Sequence, residues 1–257
     1  MLWITTLLLF WTDAPPPEEF NLEAESAEVL QWIDFLEMER QEQTRGALER
    51  ATYFVPRFKD IFRQEGVPEN LVWLALIESS FRNHATSSSA AVGMFQFKAE
   101  TATAFGLKVN GHVDERRQPH AAARASARYL AYLRSKFDSW ELVLAAYNLG
   151  EGDLRRAMQA RDVLTWLEIK PFVREQTQNY VGKVKAAALI GNRHLAQFAD
   201  NPVTPLYYEV RKGDTLYRIA RNHGIEVDLL MQANGLGNSA IREGQTLLIP
   251  PATFSNQ

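Results

Sequence analysis

Apolar residues recur at helical spacing through most of the first two hundred positions. Val29, Leu30, Ile33, Leu36 and Met38 form one set, and Tyr53, Phe54, Phe58, Ile61 and Phe62 the next, which predicts packing helices between Glu23 and Phe62. Gly66-Val67-Pro68 breaks the pattern, and Pro68 suits the first turn of a new helix carrying Leu71, Leu74, Ala75 and Glu78. Further helices are expected over Ala121 to Phe137, where Ala and Ser allow close approach, and over Trp140 to Ala146 and Gln178 to Ala196. At Asn201-Pro202-Val203-Thr204-Pro205 the helical pattern stops, because two prolines in four residues do not fit inside a helix. Beyond it two β-type runs, Leu206 to Val210 and Gln245 to Pro250, enclose two short helical stretches, Thr215 to Asn222 and Glu226 to Asn234. The expected architecture is mainly α, a large helical domain with a small βααβ domain behind it.

The chain divides on this pattern into an apolar segment and proline break at 1–17, packing helices at 18–66, a large domain at 67–200, a linker at 201–206 and the small domain at 207–251. Leu2 to Trp11 is too short for a membrane-spanning helix, which needs about 20 apolar residues. It resembles the apolar core of a secretory signal, although no Lys or Arg precedes it; an apolar N-terminus packed on the body is the alternative. No integral membrane span is expected.

Composition narrows the functional classes. With 46% hydrophobic and 23% charged residues in 257, the chain can bury a globular core. A net charge of -3 without a Lys/Arg cluster argues against nucleic acid or anionic membrane as a general partner. The absence of cysteine removes disulfides, thiolate nucleophiles and cysteine-based metal sites, and five scattered histidines show no helical metal-ligand spacing. Neither a metal nor a cofactor is implied.

Glu78 is the residue that the apolar pattern leaves unexplained. It is the sole acid between Leu71 and Ala99, at i+7 from Leu71 and i+4 from Leu74, on a helix apolar on nearly every side. A carboxyl there is costly unless neutralised, paired or functional, and burial should lift its pKa to about 6, suited to a general acid. An ion pair with Arg82, one turn on, is the structural alternative.

The surroundings of Glu78 favour the chemical role. Ile77-Glu78-Ser79-Ser80-Phe81, Ala85-Thr86-Ser87, Gly93-Met94-Phe95-Gln96-Phe97 and Thr101-Ala102 are followed by Ala145-Ala146-Tyr147-Asn148-Leu149-Gly150-Glu151-Gly152 and Gln178-Asn179-Tyr180-Val181. In order and spacing these resemble the catalytic core of the soluble-type lytic transglycosylases over roughly Val67 to Leu189, with Asp114-Glu115-Arg116-Arg117 similar to the membrane-bound transglycosylase D branch. The resemblance implies a lysozyme-like helical fold with a glycan cleft. It makes Glu78 the catalytic acid/base, Ser87 and Gln96 sugar-orienting groups, Tyr147 a cleft residue beside Glu78, Asn148 a turn-former and Tyr180 a residue closing the cleft. Lys98-Ala99 departs from the family, where Met-Pro is common, so Lys98 is expected either to meet the substrate's peptide stem or to lower the Glu78 pKa.

Most glycosidases use two carboxyl groups. In the chemistry the resemblance implies, one suffices: Glu78 protonates the bond between N-acetylmuramic acid and N-acetylglucosamine, then deprotonates the muramoyl 6-hydroxyl, which attacks its own anomeric carbon to leave a 1,6-anhydro end. The tethered nucleophile can contribute about 7 to 11 kcal/mol. Asp114, Glu115 and Glu151, in polar surroundings, are expected in surface or turn roles.

The C-terminal run Tyr208-Glu209-Val210-Arg211-Lys212-Gly213-Asp214-Thr215-Leu216, with Ile219-Ala220, Asn234-Gly235-Leu236 and Leu247-Leu248-Ile249-Pro250, resembles a LysM domain. That resemblance places a shallow site for N-acetylglucosamine-containing chains on Gly213, Asp214, Thr215, Leu216, Asn234, Gly235 and Leu236. Thr215 lies where it can cap the helix containing Ile219. The implied partner is peptidoglycan, in the periplasm or cell envelope of an exported protein, with the outer membrane as one place of residence. A hydrolysing muramidase and a catalytically silent peptidoglycan-binding protein are the competing functions.

Overall fold

Helix α1 (Ala27–Asp34) passes through one π-type turn, Phe35–Glu39, into the long helix α2 (Gln41–Gln64) of the computed structural model, which describes residues 19–22, 26–197, 206–234 and 236–250. The apolar stripe read from the sequence is the buried face of α2. Phe54, Phe58 and Phe62 are no more than 1% exposed, and the Phe54 and Phe58 rings stack with centroids 5.6 Å apart. α2 continues through Pro56, whose ring faces solvent. Packing on either side outweighs a local cost of about 3 kcal/mol for an interior proline.

The stretch after Pro68 is not one helix. Pro68 is the N-cap of a 3-10 segment, Glu69–Trp73, which leads into α3 (Leu74–Ser79). The expected placement of Pro68 in the first helical turn is therefore corrected by one position. Leu71, Val72, Trp73, Leu74 and Ala75 are all 0% exposed, so this segment runs through the centre of the core. Around it lie α4 (Ala99–Ala104), α5 (Pro119–Arg134), α6 (Trp140–Leu149), α7 (Glu151–Gln159), α8 (Trp166–Ile169) and α9 (Glu175–Ala196). α2 packs on α5, while α9 packs on α1, α3 and α6. Gly191 allows the α9 contact with the central segment, since a Cβ there would lie 2.4 Å from the Trp73 ring. The indole Nε1–H then donates to Asn192 Oδ1 at 3.0 Å.

Helices α4, α7 and α8 were not expected from the pattern. α4 and α8 are six and four residues long, and α7 buries Leu154 alone, so none presents a long enough apolar stripe. Local caps help instead: Thr165 and Glu168 form a capping box at the start of α8.

The small domain has the expected order, β1 (Leu206–Glu209), α10 (Leu216–Asn222), α11 (Val227–Asn234) and β2 (Thr246–Ile249). β1 and β2 pair antiparallel with Leu206 opposite Ile249, so Leu206 belongs to the strand and not to the linker. Val210, Leu216, Ile219, Leu230, Leu247 and Ile249 make a separate core, while Ala233 and Leu248 pack against the larger one. The Tyr207 hydroxyl lies 3.1 Å from His120 Nε2 across the junction. The N-terminal apolar run and residues 201–205 lie outside the described residues. No described helix is long and apolar enough to cross a membrane.

Candidate active site

Glu78 sits in the last turn of α3, and the backbone immediately beyond it reverses. Ser80 and Phe81 take left-handed conformations, with φ of 54° and 57°, at an energetic cost that surrounding contacts must offset. Arg50 Nε on α2 donates to the Ser80 carbonyl at 3.0 Å, and Ser79 Oγ donates to the Met94 carbonyl at 2.8 Å. The acid is thus fixed from two sides by neighbours distant in sequence.

The reversal also removes the alternative reading of Glu78 as an ion-pair partner of Arg82. Arg82 lies beyond the helix end and is exposed, and no ion pair to Glu78 occurs among the described residues. Its partner is Tyr180 on α9, whose hydroxyl donates to Glu78 Oε1 at 2.5 Å. Burial pushes the carboxyl up from 4.5 to about 7, against the pull of that hydrogen bond toward the ionised form. Tyr180 is 3% exposed. It lines the groove beside the acid.

Glu78 opens on a groove of about 690 Å³. The structure brings Ser87, Gln96, Tyr147, Asn148 and Tyr180 to its walls along with Glu78. Tyr147 donates through its hydroxyl to the Phe95 carbonyl at 2.8 Å, tying α6 to the loop that bears Gln96. Burial, then the nearby Glu78 charge, lift both tyrosine hydroxyls well above their ordinary range, so each stays a neutral donor. Gln96 has φ of 48° and donates from Nε2 to the Gly93 carbonyl at 2.8 Å. Ser87 Oγ accepts from the Ala91 amide at 3.0 Å, and Asn148 Oδ1 accepts from Thr177 Oγ1 at 2.8 Å, joining α6 to α9.

The loop is clamped from below by the Asp114–Arg116 motif. Arg116 pairs with Asp114 at 2.8 Å and donates to the carbonyls of Phe97 and Ala90 at 3.1 and 3.4 Å. Glu115 accepts from the Lys108 amide, and Glu151 pairs with Arg155. These carboxylates serve turns and surface. Sequence reasoning missed Asp153 and Arg174 on the groove walls, since α7 and the start of α9 carried no clear apolar signal, and passed over Lys183 as a lone polar position in an expected helix. Lys98 also lines the groove, but the Glu78 pKa is raised by burial and pulled back by Tyr180, with no contribution from Lys98.

Against this geometry, residues 58–165 match the model of the transglycosylase SLT domain family, and residues 208–250 match that of the LysM domain. The chain carries a transglycosylase SLT domain followed by a LysM domain. Membrane-bound lytic murein transglycosylase D of Escherichia coli (strain K12) is 36% identical over 128 residues, 48% of this chain and 28% of that protein. Peptidoglycan transglycosylase gp16 of Escherichia phage T7 is 47% identical over 83 residues, 32% of this chain and 6% of its own. The chain therefore spans under a third of the length of these relatives. The solved lytic transglycosylase Slt of Pseudomonas aeruginosa is 26% identical, covering 56% of this chain and 24% of its own with a TM-score of 0.45.

In the LysM domain most of the expected sugar-contacting side chains are engaged internally. Asp214 accepts from Arg218, from the Arg211 amide and from the Tyr208 hydroxyl, which together hold its carboxyl down at about 2. Thr215 Oγ1 caps α10 by accepting from the Arg218 amide at 3.2 Å, and Leu216 is 1% exposed. Asn234 Nδ2 donates to the carbonyls of Leu230 and Leu248, and its Oδ1 accepts from the Leu248 amide at 2.7 Å. Gly213 is exposed with φ of 82°, Leu236 is half-buried, and Gly235 lies outside the described residues. Asn234→Ala is expected to destabilise this domain by about 1 to 3 kcal/mol by stripping partners from β2. Thermal unfolding followed by amide exchange in 206–250 checks it; unchanged protection of β2 would contradict it.

Replacing Tyr180 by Phe removes the donor that favours ionised Glu78. The Glu78 pKa should then rise, moving the basic limb of the rate profile to higher pH while the maximal rate falls about ten-fold. A limb that moves to lower pH would show that Tyr180 acts otherwise.

Proposed function

We propose that the chain is a peptidoglycan lytic transglycosylase in which Glu78 acts alone as acid and then base. The observation that carries this is a carboxyl raised to about 7 and opening on a glycan-sized groove with a neutral tyrosine donor beside it. The other carboxylate on the groove wall, Asp153, is exposed and paired with Arg156, in keeping with one working acid.

Protonated Glu78 gives its proton to the glycosidic oxygen as the bond from the muramoyl anomeric carbon breaks, and N-acetylglucosamine leaves with a free hydroxyl. The resulting carboxylate takes the proton of the muramoyl 6-hydroxyl, whose oxygen bonds to the anomeric carbon and closes the 1,6-anhydro ring. Glu78 ends protonated, ready for another turnover, and no water is consumed. A pKa near the working pH suits a group that must both give and take a proton. The LysM domain would hold the same polymer, raising the effective strand concentration at the groove. An exported, cell-envelope location follows from that substrate.

Digestion of sacculi in heavy-oxygen water tests the reaction. The expected products are anhydromuropeptides, one water lighter than hydrolytic ones and free of heavy oxygen at the cut end. Labelled reducing ends would move the assignment to a hydrolysing muramidase, and no products from several sacculus types would leave a silent binding protein.

A further inference from the structure

The groups that hold Glu78 lie on both sides of the matched SLT segment. That segment covers residues 58–165, whereas Tyr180 follows it and Arg50 precedes it on α2. Arg50 is the harder of the two to explain, because a guanidinium is costly to bring out of water without a carboxylate to meet it. It is half-buried and makes no ion pair among the described residues. Burial first, then the repulsion of Arg82, lower its pKa to about 10 against the weaker attraction of Glu49. It therefore keeps its charge at neutral pH, in a place that does nothing to favour one.

What Arg50 does there is met at one atom. Its Nε–H donates to the Ser80 carbonyl at 3.0 Å, across 30 residues of sequence. Ser80 and the bulky Phe81 are both left-handed, a conformation that persists only where the surroundings fix it. Their amides are still tied to α3, Ser80 to the Leu76 carbonyl at 2.9 Å and Phe81 to the Ala75 carbonyl at 3.2 Å. The Ser80 carbonyl has no such tie. No backbone amide among the described residues donates to it, and Arg50 takes that place. Gly46, one turn earlier on α2, leaves room for the guanidinium, since a Cβ there would stand 3.4 Å from Arg50 Nη1.

The turn that Arg50 holds begins two residues after the acid. Both the burial of Glu78 and its bond to Tyr180 depend on where α3 stops. A turn free to relax would carry the carboxyl away from Tyr180 and admit water to it. The charge of Arg50 is not what acts on Glu78, whose proton affinity is accounted for by burial and Tyr180. We infer that Arg50 is a positioning residue of the catalytic acid, acting through its Nε–H on the Ser80 carbonyl and not through its charge. The working unit then begins on α2, ahead of the matched SLT segment. This rests on the reading of Glu78 as the acid and names what keeps it in place.

Two substitutions separate the donor from the charge. Glutamine carries an amide N–H, and methionine a methyl group, the same number of bonds from the backbone as the arginine Nε–H. Arg50→Gln thus keeps a neutral donor, and Arg50→Met keeps shape alone. On soluble glycan strands Arg50→Met is expected to lower kcat about 10²-fold with KM within about two-fold, and Arg50→Gln to recover all but about five-fold of the rate. In carbon-13 titrations the Glu78 midpoint should move down from about 7 toward 4.5 in Arg50→Met. That draws the basic limb of the rate profile to lower pH, the opposite of Tyr180→Phe. Tyr147 and Tyr180 face the carboxyl, while Lys98, Asp153, Arg174 and Lys183 line the groove. Both variants leave these in place, so the shift reports the turn. Equal losses in the two variants overturn the role, as does an Arg50→Met chain with kcat within about two-fold and an unmoved midpoint, even where its melting temperature falls. If Arg50→Met does not fold, hydrogen exchange at the Arg50 Nε–H of the wild type decides. Protection beyond that of the exposed arginines is expected, and exchange at their rate overturns the bond. The titration needs no turnover: a lowered midpoint without anhydro products from the wild type defeats the transglycosylase assignment alone, and anhydro products with unmoved midpoints and equal rates defeat the role of Arg50 alone.

Discussion

The Glu78→Gln chain is expected to cut strands about 10³-fold more slowly than the wild type, and above neutral pH to unfold at a higher temperature. The two effects have one origin. In the unfolded chain the carboxyl ionises near 4.5, whereas in the fold it holds its proton to about 7. As pH rises from 4.5 to 7 the unfolded state therefore sheds a proton that the folded state keeps, and stability is lost. The loss is complete above pH 7 and absent below 4.5. At about 1.4 kcal/mol per pKa unit it is on the order of 3 kcal/mol, reduced by the water the groove admits. Glutamine keeps an acceptor for the Tyr180 hydroxyl but has nothing to ionise, so the penalty disappears together with the chemistry. Melting curves of both chains at pH 4 and 8 would show coincidence at the lower pH and separation at the higher. A variant less stable than wild type at pH 8 would mean that the carboxylate is stabilised in place.

Gly93→Ala should be the most damaging single change to the fold around the groove. Gly93 has φ of +83°, and a Cβ there would lie 1.9 Å from the Arg116 carbonyl oxygen. Neither group can retreat. The Gly93 amide bonds the Ala85 carbonyl at 2.9 Å, while Arg116 is held by Asp114 and by the Phe97 and Ala90 carbonyls. Strain and displacement together should cost at least about 3 kcal/mol and move the Gln96 loop off the groove wall. Gly237→Ala, where a Cβ meets nothing within 4 Å, is the matched control and should be silent. Denaturant unfolding of the two variants checks this. Similar midpoints would show that the Gly93 loop yields more easily than its hydrogen bonds imply.

The sequence showed Glu78 as an anomaly because Leu71 to Ile77 gave it an apolar frame, and the structure places it in such a frame. It could not show what Glu78 bonds to. The Arg82 pairing assumed that helical spacing continued past Ser80, but two left-handed residues end the helix there. The true partner, Tyr180, is 102 residues away, beyond the reach of any periodicity. The same limit applies to the LysM loops. Asp214 and Asn234 have the composition of sugar ligands, and the structure shows both side chains hydrogen-bonded to backbone, Asp214 within its own turn and Asn234 across to β2. The cations of α9 went unnoticed because a lone Lys or Arg among the polar positions of a helix carries no signal until the facing wall is known.

The measurement that bears most directly on the account is a carbon-13 NMR titration of the Glu78 carboxyl, assigned by its absence from Glu78→Gln. A midpoint near 7 is predicted, leaving a large fraction of molecules able to donate a proton at neutral pH. A midpoint at the ordinary 4.5 would contradict it, because Glu78 would then be a carboxylate throughout the working range and some other group would have to protonate the leaving sugar.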